Sequence, residues 1–281
     1  MQNKKILIVG LGLLGGSYAE GLTKAGYEVG AIDINEHSIE YALTKGIIKH
    51  GTTNVYKEYL HEFDIVVFCL YPKVFIEWLQ EYQDYLKPNT IITDVTGIKG
   101  FVVKEIKSFL RSDIEYIGAH PMAGKEVYGV ENSDRTMFLE ANYIITPTQD
   151  STQKAIDIVY EIGKALNFKT ITKLTIEEHD EMIGFLSQLT HCIAVSLMTC
   201  KDSTQLVDYT GDSFRDLTRI AKINENMWSE LFLLNKEELL KQMDLFLVQF
   251  NNLKKTIEEN DVESMKEIMK ISTIRRKYFD K

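Results

Sequence analysis

The chain divides into two stretches that differ in the spacing of hydrophobic and polar residues. Between about residues 4 and 172, short runs rich in β-branched residues alternate with amphipathic segments of helical spacing. This alternation predicts a mostly parallel sheet with helices on both faces. The predicted strands are KILIV, EVGAI, DIVVFCL, TIITDV, EYIGA, NYIIT and FKTIT.

The second stretch, residues 174–281, contains no proline and carries hydrophobic residues at helical spacing. It begins at LTIEEHDEM, where Thr175 and Glu178 have the spacing of a capping box and introduce a long helix. We therefore predict an α/β domain over residues 1–173 and an all-α domain over residues 174–281. Several later helices are too apolar for a solvent-exposed layer, which predicts a homodimer formed through the helical domain.

Composition narrows the class of protein. A chain of 281 residues is long enough for two domains, and 44% hydrophobic with 26% charged residues is typical of a soluble globular protein. The formal net charge of −9, without a basic run, argues against nucleic acid as a partner. Cys69, Cys192 and Cys200 lack the spacing of a metal site, so no metal is expected and a reducing compartment is indicated.

The N-terminal apolar run ILIVGLGLLGG follows Lys4 and Lys5 and superficially resembles a signal peptide. No small-residue cleavage pattern follows it, and its glycines have a different explanation. We therefore expect a cytoplasmic protein that does not associate with a membrane.

The explanation is a dinucleotide-binding fingerprint. Gly10, Gly12 and Gly15 have GxGxxG spacing between a strand and a helix, and Asp33 ends the second strand. Such glycines permit a tight turn and let a diphosphate reach the helix N-terminus, while a carboxylate at the strand end binds the ribose 2′-hydroxyl and repels a 2′-phosphate. We predict a Rossmann-type, doubly wound domain that binds NAD; the alternative is a strand-turn-helix whose glycines serve packing alone. The expected cofactor-binding residues are Gly10, Gly12, Leu13, Leu14, Gly15, Asp33, Cys69 and Asp94.

Four further clusters are not explained by nucleotide binding. CLYP (residues 69–72), DVTGIKG (94–100) and HPMAGKE (120–126) follow predicted strands, where open α/β sheets bind ligands, and SFRDLTRIA lies in the helical domain. His120 is a candidate general base because the ordinary histidine pKa is near 6.5. Taken alone, a histidine at a strand end is more often structural.

Together these motifs resemble the prephenate dehydrogenase family, the prephenate and arogenate dehydrogenases of tyrosine biosynthesis. The resemblance spans about residues 4 to 255 and rests on GLGLLGGS, DVTGIKG, GAHPMAGKE, HDEMIGFLSQLTH and FRDLTRIA followed by MWSELFLLNK. It implies an NAD-dependent oxidoreductase that converts prephenate to 4-hydroxyphenylpyruvate. Hydride passes to the nicotinamide, the hydroxyl proton passes to a base, and the ring carboxylate leaves as CO2.

The resemblance also implies roles for individual residues. His120 becomes the base and Arg219 the anchor of a substrate carboxylate, a task that suits the guanidinium fork. Many family members carry a serine where this chain has Gly97, and the candidates for a replacement hydroxyl are the adjacent Thr96 and a water molecule. Further residues expected at the substrate are Glu126, His179, His191, Asp216 and Trp228.

Several of these assignments have alternatives. Asp216 either positions Arg219 or forms a surface ion pair with it. His179 and His191 are twelve residues apart, about 18 Å along a straight helix, so both cannot touch one small substrate unless the helix breaks. We favour His191 for that contact and expect His179 to be a gate or network residue, or else an exposed first-turn histidine. Trp228 is otherwise a core residue.

Three alternative functions remain. An arogenate dehydrogenase differs in one substrate group, an amine; Gln188 and His191 offer no carboxylate to an ammonium, which favours prephenate, although Glu126 weakens this argument. A catalytically silent dinucleotide-binding dimer would not depend on His120. Another hydroxyacid dehydrogenase would use Lys99 or Lys125 as its acid/base.

Overall fold

The computed structural model describes residues 4–125, 127–202 and 204–280. A single sheet lies at the centre of the N-terminal domain. Its strands are β1 (Lys5–Val9), β2 (Glu28–Ile32), β3 (His50–Thr52), β4 (Ile65–Phe68), β5 (Ile91–Asp94), β6 (Glu115–Pro121), β7 (Asn142–Thr146) and β8 (Thr170–Lys173).

The strand order is β3-β2-β1-β4-β5-β6-β7-β8, and only the β6–β7 pair is antiparallel. Each of the seven predicted strands is present, so the prediction of a mostly parallel, doubly wound sheet is confirmed. β3 was not predicted because it has only three residues and no hydrophobic run. β1 pairs in parallel with both β2 and β4, which creates between them the switch point where such sheets bind ligands.

Both faces of the sheet are buried. In β1, Ile6 and Ile8 belong to the core on one face, and Leu7 and Val9 belong to the core on the other. All four residues of β4 are buried, as expected for a central strand covered by helices on both sides. The continuous hydrophobic runs that identified these strands in the sequence therefore reflect burial on two sides.

Twelve α-helices lie in the described residues, six before the end of β8 and six after it. The first six are α1 (Leu13–Lys24), α2 (Glu36–Thr44), α3 (Lys57–Leu60), α4 (Pro72–Tyr82), α5 (Gly100–Lys107) and α6 (Gln153–Ala165). The second six are α7 (Ile176–Ile183), α8 (Thr190–Thr199), α9 (Asp212–Thr218), α10 (Glu225–Leu234), α11 (Lys236–Glu258) and α12 (Val262–Arg276). Short 3-10 helices occur at Gln83–Tyr85, Val130–Asn132, Arg135–Phe138, Thr204–Tyr209, Arg219–Ala221 and Lys277–Phe279.

The helical half begins two residues after the sheet ends. The Thr175 hydroxyl accepts from Glu178 N and the Glu178 carboxylate accepts from Thr175 N, which confirms the predicted capping box. A π-helical segment (Gly184–Leu189) joins α7 to α8, so helical backbone continues without a break from Ile176 to Thr199. By length and composition this run would suffice to span a membrane, but its first turn packs against the sheet domain through buried His179 and Asp180.

The last helices expose much apolar surface. In α11, which is 23 residues long, only Leu239, Gln242 and Thr256 are buried. Exposed apolar side chains of α11 include Leu240, Leu245, Leu247, Val248, Phe250 and Ile257. Exposed apolar surface of this extent on one copy of the chain indicates that another protein surface covers part of it.

Candidate active site

The carboxyl ends of β4, β5 and β6 face α10, which crosses above them. At the start of α4, Lys73 N donates to the Glu230 carboxylate at 3.0 Å, and Asn224 Nδ2 donates to the Tyr71 hydroxyl at 3.3 Å. Further along α10, Leu231 approaches Gly97 in the loop after β5. The space between these strand ends and α10, called the cleft below, is therefore bounded by both domains.

The turn after β1 has the form that a dinucleotide requires. A Cβ at Gly10, whose φ is +95°, would lie 2.7 Å from the Cys69 carbonyl oxygen, and a Cβ at Gly15 would overlap Gly10. Apart from its own chain neighbours, no described residue comes within 4 Å of a Cβ built on Gly12, which caps α1 without a side-chain hydrogen bond. Tight packing thus holds the turn while its outer side and the N-terminus of α1 are left open to a diphosphate.

Asp33 lies beside this turn. Its carboxylate accepts from Leu11 N at 2.5 Å and from Asn35 N at 2.7 Å. The two backbone donors fix the carboxylate at the end of β2. Leu13 and Leu14 begin α1 after the same turn and are partly exposed. This arrangement fits the adenosine ribose of a dinucleotide.

The β5–α5 loop (residues 95–99) is organised by a buried ion pair. Lys99 Nζ donates to Asp94 Oδ2 at 2.6 Å, to the Thr96 carbonyl at 2.9 Å and to the Thr96 hydroxyl at 3.1 Å, and neither Asp94 nor Lys99 is exposed. Burial lowers the pKa of Lys99, and the charge of Asp94 opposes this. Because all three N–H groups of Lys99 are used, this lysine shapes the loop and is not available as an acid/base.

Two predicted residues are used inside this loop. The Asp94 carboxylate also accepts from the Tyr116 hydroxyl at 2.8 Å, so its oxygens face the protein interior. The Thr96 hydroxyl donates its one proton to the Asp94 carboxylate and also lies 2.9 Å from the Ile98 carbonyl, so it is engaged within the loop. Asp94 and Thr96 are thus partners of one another within the loop. A contact of Asp94 with the cofactor and a contact of Thr96 with the substrate or His120 remain predictions.

Cys69 and Lys125 are likewise placed by their surroundings. Cys69 packs against Gly15, with 3.2 Å between its Cβ and a Cβ built on that glycine, and burial raises the pKa of its thiol. The Cys69 side chain therefore packs on the glycine turn. Lys125 pairs with Asp134 at 2.9 Å on the surface. The described geometry thus favours neither Lys99 nor Lys125 as a catalytic lysine.

His120, near the end of β6, begins a chain of hydrogen bonds that crosses into the helical domain. His120 Nδ1 lies 2.9 Å from His179 Nε2, and His179 Nδ1 lies 2.7 Å from Asp180 Oδ1. Asp180 in turn accepts from Lys99 N at 2.9 Å and from Gly100 N at 2.7 Å. Burial lowers the pKa of His120 well below 6.5, and nearby His179 and Lys99 lower it further, so the imidazole is neutral near pH 7.

Of the two interpretations of His179, the exposed first-turn histidine is wrong. The side chain is completely buried because α7 packs its first turn on the β5–α5 loop, and it contacts His120. Asp180, which directly follows it in the HDEM motif, was not singled out in the sequence. The adjacency of an acidic residue to a histidine was the available signal, but the pairing with the loop is tertiary.

His191 and Trp228 come together where α8 meets α10. Their rings are stacked with centroids 3.7 Å apart, and His191 Nδ1 lies 2.8 Å from the Ser187 carbonyl. Gln188 does not line the cleft with its amide, because that amide donates to the Leu231 carbonyl at 2.9 Å and accepts from Asn235 at 2.8 Å. Gln188 therefore gives no information on whether the substrate carries an amine.

The remaining predicted residues are less closely assembled. Arg219 begins the 3-10 turn after α9, and this turn packs against α8; both Arg219 and Asp216 are exposed. No ion pair joins Asp216 to Arg219 among the contacts of the described residues. Glu126 lies outside the described residues. The substrate contacts of these three residues remain predictions.

Comparison with known proteins places this architecture in a family. Residues 18–172 match the family model described as prephenate dehydrogenase, nucleotide-binding domain, and residues 175–271 match prephenate dehydrogenase, dimerization domain. The prephenate dehydrogenase of Lactococcus lactis is 30% identical, over 93% of this chain and 73% of the relative. The cyclohexadienyl dehydrogenase of Zymomonas mobilis is 29% identical, over 96% of this chain and 94% of the relative.

A solved structure agrees over the whole chain. It is the prephenate dehydrogenase from A. aeolicus in complex with hydroxyphenyl propionate and NAD+, with 31% identity and a TM-score of 0.90 over 100% of this chain and 99% of that one. The two family models match both halves of the chain, and the structural agreement extends across the cleft between them. The chain therefore belongs to the prephenate dehydrogenase family.

Proposed function

We propose that the protein catalyses the NAD-dependent oxidative decarboxylation of prephenate to 4-hydroxyphenylpyruvate and CO2 in tyrosine biosynthesis. The observation that carries this proposal is His120, a neutral imidazole at a strand end inside the cleft, in a chain of this family. Related proteins named prephenate dehydrogenase and a related structure that contains NAD+ and hydroxyphenyl propionate support it.

The cofactor fits the glycine turn. Gly10 and Gly12 would let the diphosphate approach the N-terminus of α1, and Asp33 would bind the ribose hydroxyls and favour NAD+ over NADP+. When bound, NAD+ supplies the hydride acceptor. The protein's task is to bring the hydroxyl-bearing ring carbon of the substrate to the nicotinamide and to exclude water from the cleft.

His120 takes the proton. As the ring hydroxyl becomes a carbonyl, its proton moves to the imidazole, and the neutral state imposed by burial keeps that nitrogen available near pH 7. As the ring carboxylate leaves as CO2, the electrons of the broken C–C bond pass through the ring to the carbonyl oxygen, which takes the proton back from the imidazole. The ring becomes aromatic, which makes the overall step favourable.

The dianionic substrate requires positive and polar partners. We assign a substrate carboxylate to Arg219 and pocket contacts to His191 and Trp228, whose stacked rings lie on α8 and α10 near Leu231. Glu126 and Asp216 complete the proposed substrate-binding set, and His179 acts through His120.

The protein acts as a soluble cytoplasmic homodimer in this proposal. The match of residues 175–271 to a dimerization domain and the exposed apolar side chains of α11 support a second copy of the chain as the partner. A membrane or a nucleic acid has no part in the proposed reaction.

The test is the initial rate of nicotinamide reduction by purified protein with prephenate and NAD+, run beside arogenate and beside NADP+. We expect turnover with prephenate and NAD+. Turnover of arogenate alone would move the assignment to arogenate dehydrogenase while retaining the fold and the role of His120. Failure with both substrates would refute the proposal and favour the silent dinucleotide-binding dimer.

A matched pair of variants tests the base. His120→Asn should lower kcat by about 10²–10⁴-fold with little change in KM, which is the usual contribution of general-base catalysis. His61→Asn, the same substitution at an exposed histidine far along the chain, serves as the control. An unchanged kcat in His120→Asn would eliminate His120 as the base.

A further inference from the structure

We propose that His179 and Asp180 are positioning residues that hold His120 in one tautomer, with the proton on Nδ1 and the lone pair on Nε2. This inference rests on the proposed function, because it names the atom of His120 that accepts the substrate proton. It also assigns to the helical domain a part in preparing a base that lies in the sheet domain.

Asp180 determines which atoms donate and which accept in this chain of hydrogen bonds. A carboxylate only accepts hydrogen bonds, and three donors converge on this one: Lys99 N, Gly100 N and the Nδ1 of His179. Lys99 N and Gly100 N belong to the N-terminus of α5, and the partial positive charge of a helix N-terminus favours a carboxylate there. His179 must therefore carry its proton on Nδ1.

The protonation of His179 then determines that of His120. Burial lowers the pKa of His179, an effect that Asp180 opposes, so His179 is neutral and has a lone pair on Nε2. That lone pair lies 2.9 Å from His120 Nδ1. The short contact is a hydrogen bond only if His120 Nδ1 donates, so His120 Nε2 carries no proton.

The Nε2 side of His120 faces Gly97, a residue without a side chain. A Cβ built on Gly97 would lie 3.8 Å from His120 Nε2 and 3.9 Å from Leu231 Cδ1. No described side chain donates a hydrogen bond to this nitrogen. The lone pair on His120 Nε2 therefore points to the side of the cleft where Gly97 contributes no side chain.

The arrangement links the base to the docking of two domains. His120 and the donors Lys99 N and Gly100 N belong to the sheet domain, whereas His179 and Asp180 lie in the first turns of α7. The hydrogen-bond chain thus crosses the domain boundary twice. Movement of α7 away from the β5–α5 loop would release the imidazole to exchange between tautomers.

The decisive measurement is the 15N NMR signature of the histidine side chains in the full-length wild-type protein at neutral pH. The chain has six histidines, and single substitutions assign their signals. We expect His120 as the Nδ1–H tautomer. A signal showing His120 protonated at Nε2 overturns the proposal even if the protein turns over prephenate, and it can be read whether or not the protein is active.

A pair of His179 variants tests the consequence for catalysis. His179→Leu removes the nitrogen that accepts from His120 Nδ1, so His120 should no longer be held in a single tautomer. We expect kcat to fall at least ~10-fold, and at most by the ~10²–10⁴-fold that general-base catalysis contributes, with KM nearly unchanged. In His179→Gln the amide oxygen can accept from Nδ1, so both the tautomer and part of kcat should return.

The variants also distinguish positioning from a purely structural role. If His179→Leu retains the wild-type tautomer of His120 while kcat falls, His179 acts through packing and the inference fails. Thermal unfolding of both variants establishes that they fold, and His61→Leu provides the control for the same substitution at an exposed site. Should a folded His179→Leu retain full kcat, the inference fails as well.

Discussion

Replacing Lys99 by methionine removes the positive partner of a carboxylate that has no contact with solvent. Lys99 Nζ and Asp94 Oδ2 are 2.6 Å apart, and both side chains are 0% exposed. Methionine retains an unbranched chain of similar length, so the charge is the main loss. Breaking a buried pair from one side costs roughly 3–5 kcal/mol because the remaining charge is uncompensated.

The other partners of Asp94 decide where in this range the cost falls. The carboxylate keeps four neutral donors: Thr96 N at 2.9 Å, the Thr96 hydroxyl, the Tyr116 hydroxyl at 2.8 Å and Ala119 N at 3.3 Å. These bonds compensate part of the buried charge, so we expect about 3 kcal/mol. At about 2–4 °C per kcal/mol for a protein of this size class, the melting temperature should fall by roughly 6–12 °C.

Denaturant unfolding of Lys99→Met, of Asp94→Asn and of the double variant measures the interaction. Because both singles disrupt the same pair, the double variant should lose less than the sum of the two losses. Lys107→Met, at an exposed lysine of α5 paired with Asp150, should stay within about 0.5 kcal/mol of wild type. If the free energy of unfolding of Lys99→Met is within about 1 kcal/mol of the wild-type value, the reasoning is refuted. If a stably folded Lys99→Met loses ~10²-fold in kcat alone, Lys99 is again a candidate acid/base.

Further predictions concern the cofactor, the loop and pH. Asp33→Asn should raise KM for NAD+ by ~10-fold or more, since a hydrogen bond to a charged group is worth about 1.5–3 kcal/mol. It should also reduce the preference for NAD+ over NADP+, measured in parallel assays with the two cofactors. Gly97→Ser should fold with an unchanged melting temperature, because the nearest atoms are 3.8 Å from its Cβ. One hydrogen bond from the new hydroxyl to the substrate hydroxyl should raise kcat/KM by up to ~10-fold. A marked loss of stability would contradict this prediction. Burial lowers the pKa of His120, so kcat/KM should stay constant as pH falls to 6.5 and decline only below it; a midpoint above 6.5 in a pH-rate profile would be incompatible with the buried, neutral base.

Features encoded in short segments of sequence were predictable. The glycine turn, Asp33 and the capping box of Thr175 involve residues within a few positions of each other or at the end of one strand, so motif and structure agree. The strands were recognisable because burial on both faces demands continuous hydrophobic runs. β3 (His50–Thr52) lacks such a run and is held at the sheet edge only by its pairing with β2.

Features that depend on packing between distant segments were not predictable. Thr96 and Lys99 both follow a strand that leads into the cleft, yet both turn inward because a buried carboxylate at Asp94 needs donors. His179 lies near a helix start, where exposure is common, but that turn docks on the β5–α5 loop. Gln188 is used by Leu231 and Asn235, which are more than forty residues away.

The π-helical segment Gly184–Leu189 changes the angular phase between the two histidines of the α7–α8 run. In a regular α-helix, twelve residues at about 100° each would turn His191 by ~120° relative to His179. A single π turn acts as one inserted residue, which reduces the effective separation to eleven residues and the offset to about 20°. One helical run can therefore present His179 to His120 and, three turns later, His191 to Trp228 from nearly the same face.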